Sequence, residues 1–145
     1  MLGEVKVDEL LVAIGERTPA PASGVATALT AALAAALAEL SARYAGNEDD
    51  AARAHAVATE LVRLGDADAA AYGAYLASPN EETRGEIVRV PEEIARLADE
   101  AVAVALRATD KLSPAVAGDA RTSAELGRAA AEVARGLAAL NRAGS

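Results

Sequence analysis

Apolar positions recur at helical spacing along nearly the whole chain, and turn residues cut them into five segments. The first, from Val5 to Gly15, carries Val7, Leu10, Leu11 and Ile14 on one side. In the second, from Gly24 to Ala45, the larger apolar residues Leu29, Leu33, Leu37, Leu40 and Tyr44 fall three or four apart, which predicts one core-facing stripe. Gly46-Asn47 ends that helix. Asn47 is the expected cap of a third, with Asp50 placed to bond back to it, and the third runs to about Ala77. Ser78-Pro79-Asn80-Glu81 reads as a cap, a first-turn proline and a capping-box acid that start a fourth helix. Val90-Pro91 predicts a break or kink, with a restart towards Ala108. Ser113-Pro114 opens a fifth helix that reaches about Arg142. No stretch alternates with period two. The expected fold is all-α, an antiparallel bundle of about five helices without a sheet.

Polar residues that fall on these stripes are the candidates for chemistry. In the third helix Val57, Leu61, Leu64, Tyr72 and Tyr75 share a face that also contains Asp68, while Asp66 is expected to face water. A carboxylate on an apolar face needs a partner, a hydrogen bond or a proton. In the fifth helix Leu126, Val133, Leu137 and Leu140 share a face, steps of seven lead back from Val133 to Asp119, and Asn141 lies at the edge. Two acids from two helices in one apolar seam are the arrangement acid–base catalysis needs, because their surroundings can drive the two acidities apart. Asp119 also lies within two turns of its helix start, where an acid complements the helix dipole. His55, the single histidine, falls opposite Val57, Leu61 and Leu64 and reads as a surface residue. With one histidine, no cysteine and no paired ligands at helical spacing, no metal site is expected.

Composition adds constraints. The 145 residues suit one domain spanning 1–145. Hydrophobic residues make up 52%, yet Trp and Phe are absent and Tyr numbers three, so much of the apolar content is alanine. Alanine forms helices readily but buries little surface, so the helices must pack closely, and association of two copies would add to the burial. The net charge of −8, with scattered basic residues, argues against nucleic acid as a partner. Absent cysteine fits a cytoplasmic protein. The acidic start MLGEVKVDELL offers no export signal, and the apolar run from Val25 to Ala38 falls short of the ~20 residues of a membrane span.

One stretch crowds turn chemistry against the most apolar helix: TPAPASGVATA at 18–28. Followed by DAAAY (68–72), VP (90–91), GD (118–119) and ALN (139–141), it resembles the cyclodeaminase/cyclohydrolase family, which includes the C-terminal domain of formiminotransferase-cyclodeaminase and the methenyltetrahydrofolate cyclohydrolases. The resemblance implies a helical homodimer acting on a tetrahydrofolate derivative as substrate, with no tightly bound cofactor. It implies Asp68 as base or electrostatic partner and Asp119 as second acid. Pro21, Ser23, Gly24, Tyr72 and Asn141 are the implied substrate-binding residues, with the amides of Ser23 and Gly24 turned to an anionic or carbonyl group and Asn141 bonding the pterin. Departures are plain. The family usually reads Pro-Gly-Gly-Gly-Ser where this chain has Pro21-Ala22-Ser23-Gly24-Val25, and Leu137 stands where a first asparagine is common. The segment from Arg84 to Pro91 is short by roughly two helical turns. Two functions follow: a folate-dependent cyclohydrolase or cyclodeaminase, or an inactive helical homologue serving as a binding or structural partner.

Overall fold

A computed structural model describes residues 1–144. Among them a single 3-10 turn, Leu2–Glu4, precedes α1 (Val7–Gly15), α2 (Ser23–Tyr44), α3 (Glu48–Ala77), α4 (Glu81–Thr109) and α5 (Pro114–Ala143), and no strand occurs. Local signals account for most boundaries. Gly46 takes a left-handed φ of 75°, which lets the Asn47 amide bond back to the Ala42 carbonyl at 2.9 Å and close α2. Asn47 then caps α3 by accepting from the Asp50 amide at 3.0 Å. The Asp50 carboxylate does not bond back as expected; it pairs with Arg107 on α4, at 2.9 and 3.1 Å.

The start of α4 also differs from its sequence reading. Asn80, not Ser78, is the cap, and its partner in a reciprocal capping box is Thr83. Nor does Pro91 interrupt the helix: α4 runs from Glu81 to Thr109 with that proline inside it and buried. Ser113 and Pro114 open α5 as expected.

Packing places α2 and α4 at the centre, each contacting the other and both α3 and α5. Residue pairings show that α2 to α5 run antiparallel in sequence: Gly24 with Asp68 and Glu39 with His55 join α2 to α3, Asp50 with Arg107 and Tyr75 with Arg84 join α3 to α4, and Ile87 with Asn141 and Asp99 with Arg135 join α4 to α5. Because α3 passes the start of α2 near Asp68 and continues to Ala77, the α3–α4 hairpin extends about 13 Å beyond that start.

The expected leucine stripes of α2 and α5 are not their core faces. Leu33 is 63% exposed, Leu140 67%, and Leu40, Tyr44 and Val133 also face outward. What α2 buries is Ala28, Ala31, Ala34, Ala35 and Ala38, and α5 buries Ala120, Ser123, Gly127, Ala131 and Ala134. Small residues win these faces because they let helix backbones approach. A Cβ on Gly127 would lie 2.6 Å from Val102 Cγ2, and the buried Ser123 hydroxyl donates to the Ala34 carbonyl at 2.6 Å. The stripe of α3 does hold, with Val57, Leu61 and Leu64 fully buried. At 22 residues and a mean hydropathy of 1.7 over its most apolar window, α2 is long and apolar enough to cross a bilayer, contrary to the shorter run read from sequence. Within the bundle it packs against α3, α4 and α5.

Asp66 is not simply solvated, since its Oδ1 accepts from the Leu2 amide at 3.0 Å and ties the N-terminal turn to α3. His55 is exposed as expected, with Nδ1 3.1 Å from Glu39 Oε2. The α1 helix buries none of its residues.

Candidate functional site

The start of α2 is the chemically unusual point of the bundle. Its cap residue, Ala22, has no side chain able to bond the first turn, and Ser23, Gly24 and Val25 keep amides without a hydrogen-bond partner among the described residues. These are donors that favour negative charge or a carbonyl oxygen. Directly over Gly24 lies the carboxylate of Asp68. A Cβ built on Gly24 would stand 2.0 Å from Oδ2 and 2.5 Å from Oδ1, so only glycine admits the acid here. Asp68 makes no hydrogen bond or ion pair among the described residues, and burial pushes its carboxyl above the usual carboxylate range.

A cavity of about 250 Å³ opens at this point, lined by Pro19, Ala20, Ala22, Ser23, Gly24, Asp68, Tyr72, Leu137 and Asn141. Asn141 Nδ2 donates to the Ile87 carbonyl at 2.7 Å, which fixes the amide and leaves its Oδ1 as an acceptor. The site thus combines one unpaired carboxylate, one amide acceptor, the Tyr72 phenol and a helix start rich in donors. It can take a ligand with cationic character and N–H donors at one part and an oxygen acceptor at another. A larger cavity of about 580 Å³ lies among α1, α2 and α3 but is lined almost wholly by aliphatic side chains such as Leu10, Leu29 and Val62. It lacks converging polar groups to orient a substrate.

Of the residues singled out from the sequence, Ser23, Gly24, Asp68, Tyr72 and Asn141 come together in the smaller cavity. Pro21 stands in the same loop, following a cis peptide bond from Ala20, but does not line it. Asp119 does not join them within one chain. It lies eighteen residues before Leu137 on the continuous α5, so about 27 Å separates the two along the helix axis, and Asp119 belongs to the far end of the bundle. The count by sevens led to it through Val133 and Leu126, on a face that is not the buried one. Pro19, Ala20 and Ala22 were missed because such residues carry no side-chain chemistry. Leu137, one turn before Asn141, enters through the simple spacing of four. Among the described residues no group of three or more His, Asp or Glu is placed to hold a metal ion.

No curated protein matches the sequence. The profile of the formiminotransferase-cyclodeaminase family does match, over residues 6–143, and takes in the α2 start, Asp68 and Asn141. On that match over nearly its whole length, the chain belongs to the formiminotransferase-cyclodeaminase family, one of folate-related one-carbon metabolism.

Proposed function

We propose that the chain is a 5,10-methenyltetrahydrofolate cyclohydrolase, working in the cytoplasm as a homodimer. The observation that carries this reading is the single unpaired carboxylate of Asp68 set over the bare amides of the α2 start. The substrate is a cation at the methenyl carbon, and an unpaired carboxylate with raised proton affinity suits both its attraction and the removal of a proton from attacking water. Water adds to the methenyl carbon and Asp68 takes one of its protons. Asp68 then returns that proton to N5 as the bond from carbon to N5 breaks, and the hydroxyl loses its own proton to solvent as the formyl carbonyl forms on N10. The amides of Ser23 and Gly24 suit the oxygen that gains charge. Asn141 Oδ1 suits a pterin N–H.

The formimidoyltetrahydrofolate cyclodeaminase reaction is the second reading. It asks for one group to take a proton and another to give one as ammonia leaves, and one acid per cavity favours the hydrolysis instead. The dimer is supported by apolar side chains left facing outward on α2 and α5.

The test is optical. Purified protein mixed with 5,10-methenyltetrahydrofolate is expected to bleach the near-ultraviolet band faster than buffer, and Asp68→Asn to remove the excess rate. Equal rates for wild type and buffer would sink the enzyme reading and leave a helical homologue that acts as a binding or structural partner.

A further inference from the structure

The cavity over Gly24 holds about 250 Å³, below the roughly 300–1,000 Å³ of pockets that enclose a whole drug-sized ligand. A tetrahydrofolate that enters head first leaves its aminobenzoyl ring and its glutamate carboxylates outside. What they meet on the α3–α4 side follows from the register of the two helices. Tyr72 lines the cavity, and α4 joins the same wall where Asn141 bonds the Ile87 carbonyl. Three residues outward on each helix, nearly one turn, stand Tyr75 and Arg84. The Arg84 guanidinium carbon is 5.6 Å from the centre of the Tyr75 ring, and Nη2 donates to the Tyr75 hydroxyl at 3.3 Å.

Arg84 differs from its neighbours along α4. Arg89, Arg96 and Arg107 each hold a carboxylate, whereas Arg84 has none among the described residues and is partly buried against a neutral ring. A guanidinium held in this way is ordered yet keeps most of its five donors free for a planar anion. We propose that Arg84, presented by Tyr75, is the specificity-determining contact for the carboxylate-bearing tail of the folate; the proposal rests on the folate reading above. Tyr72 and Tyr75, one turn apart on α3, supply aromatic surface along the path between the cavity and that cation.

Calorimetric titration with tetrahydrofolate and with tetrahydropteroate, the same molecule without glutamate, tests this in wild type and Arg84→Gln. Wild type is expected to bind tetrahydrofolate about tenfold more tightly, the factor of one charge-assisted hydrogen bond. The variant should bind both ligands alike, with its affinity for tetrahydropteroate unchanged. An undiminished preference in Arg84→Gln, or no preference in wild type, overturns the tail contact while leaving the folate reading standing. Wild type that binds neither ligand removes both. Should circular dichroism show the variant unfolded, the wild type decides by itself: the preference must shrink as salt is raised, and a preference indifferent to salt defeats the proposal.

Discussion

The carboxylate of Asp68 on α3 occupies the space that a side chain at residue 24 on α2 would fill, with Oδ2 2.0 Å from where that Cβ would stand. The two positions are therefore coupled through exclusion. Gly24→Ala is expected to displace the acid, lowering both melting temperature and kcat/KM. In an Asp68→Ala background the same change should cost little or gain slightly, because the clash is gone and alanine is the better helix former by roughly 0.5–1 kcal/mol. Thermal unfolding of the four proteins in the cycle checks this, and additive losses would contradict the contact.

Burial raises the pKa of Asp68 in the folded chain above its unfolded value. The folded state then binds more protons than the unfolded state between those two values, so the stabilising contribution is fully present below the ordinary carboxylate range and is lost as pH rises through the folded value. Asp68→Asn should accordingly melt higher than wild type at neutral pH, and the gap should close on acidification. Melting curves for both proteins from acid to neutral pH measure it. A gap that widens in acid would mean that the carboxylate is stabilised in the fold.

Asp119 stands at the other end of α5 from the cavity. Asp119→Asn should leave kcat/KM for methenyltetrahydrofolate within about threefold of wild type, whereas Asp68→Asn should lower it by about 10²–10⁴, the usual contribution of a positioned acid or base. Parallel steady-state assays separate the two. Equal losses would require a second subunit to carry Asp119 to the site.

The outward leucines bear on assembly. Leu33 and Leu140 are 63% and 67% exposed on the two helices whose small faces form the core. A double change, Leu33→Glu with Leu140→Glu, is expected to convert the proposed dimer to a monomer of unchanged helicity, read by light scattering and circular dichroism. A wild type that is monomeric at micromolar concentration would remove the need for a partner face.

Helix number and most turns were legible because caps, glycines and prolines are local signals. Asn47, Gly46 and Pro114 do in the structure what their chemistry implies. Pro91 does not break α4, because the packed surroundings keep the helix running through it. The faces of α2 and α5 were misread for a different reason. Periodicity was weighted towards leucine, yet at Ala34, Ser123 and Gly127 close approach of helices outweighs the area a larger side chain would bury. That weighting also aligned Asp119 with Leu137, from which about 27 Å of α5 separates it. Asp68 escaped it because α3 turns its large apolar residues inward. The vacant cap at Ala22 and the loop backbone of the cavity have no period to detect.

The seam between α2 and α5 also constrains how this protein can vary. Ala34 and Ser123 are already near the lower limit of side-chain volume, so nearly every replacement there adds atoms between α2 and α5, while a side chain on Gly127 would press on Val102 of α4. Gly24 sits on the same continuous helix as Ala34, so a displacement of α2 would shift it against Asp68. Mutational freedom is thereby pushed to the outer surface, and an alanine-to-valine change deep in the seam would reach the cavity mechanically without touching it.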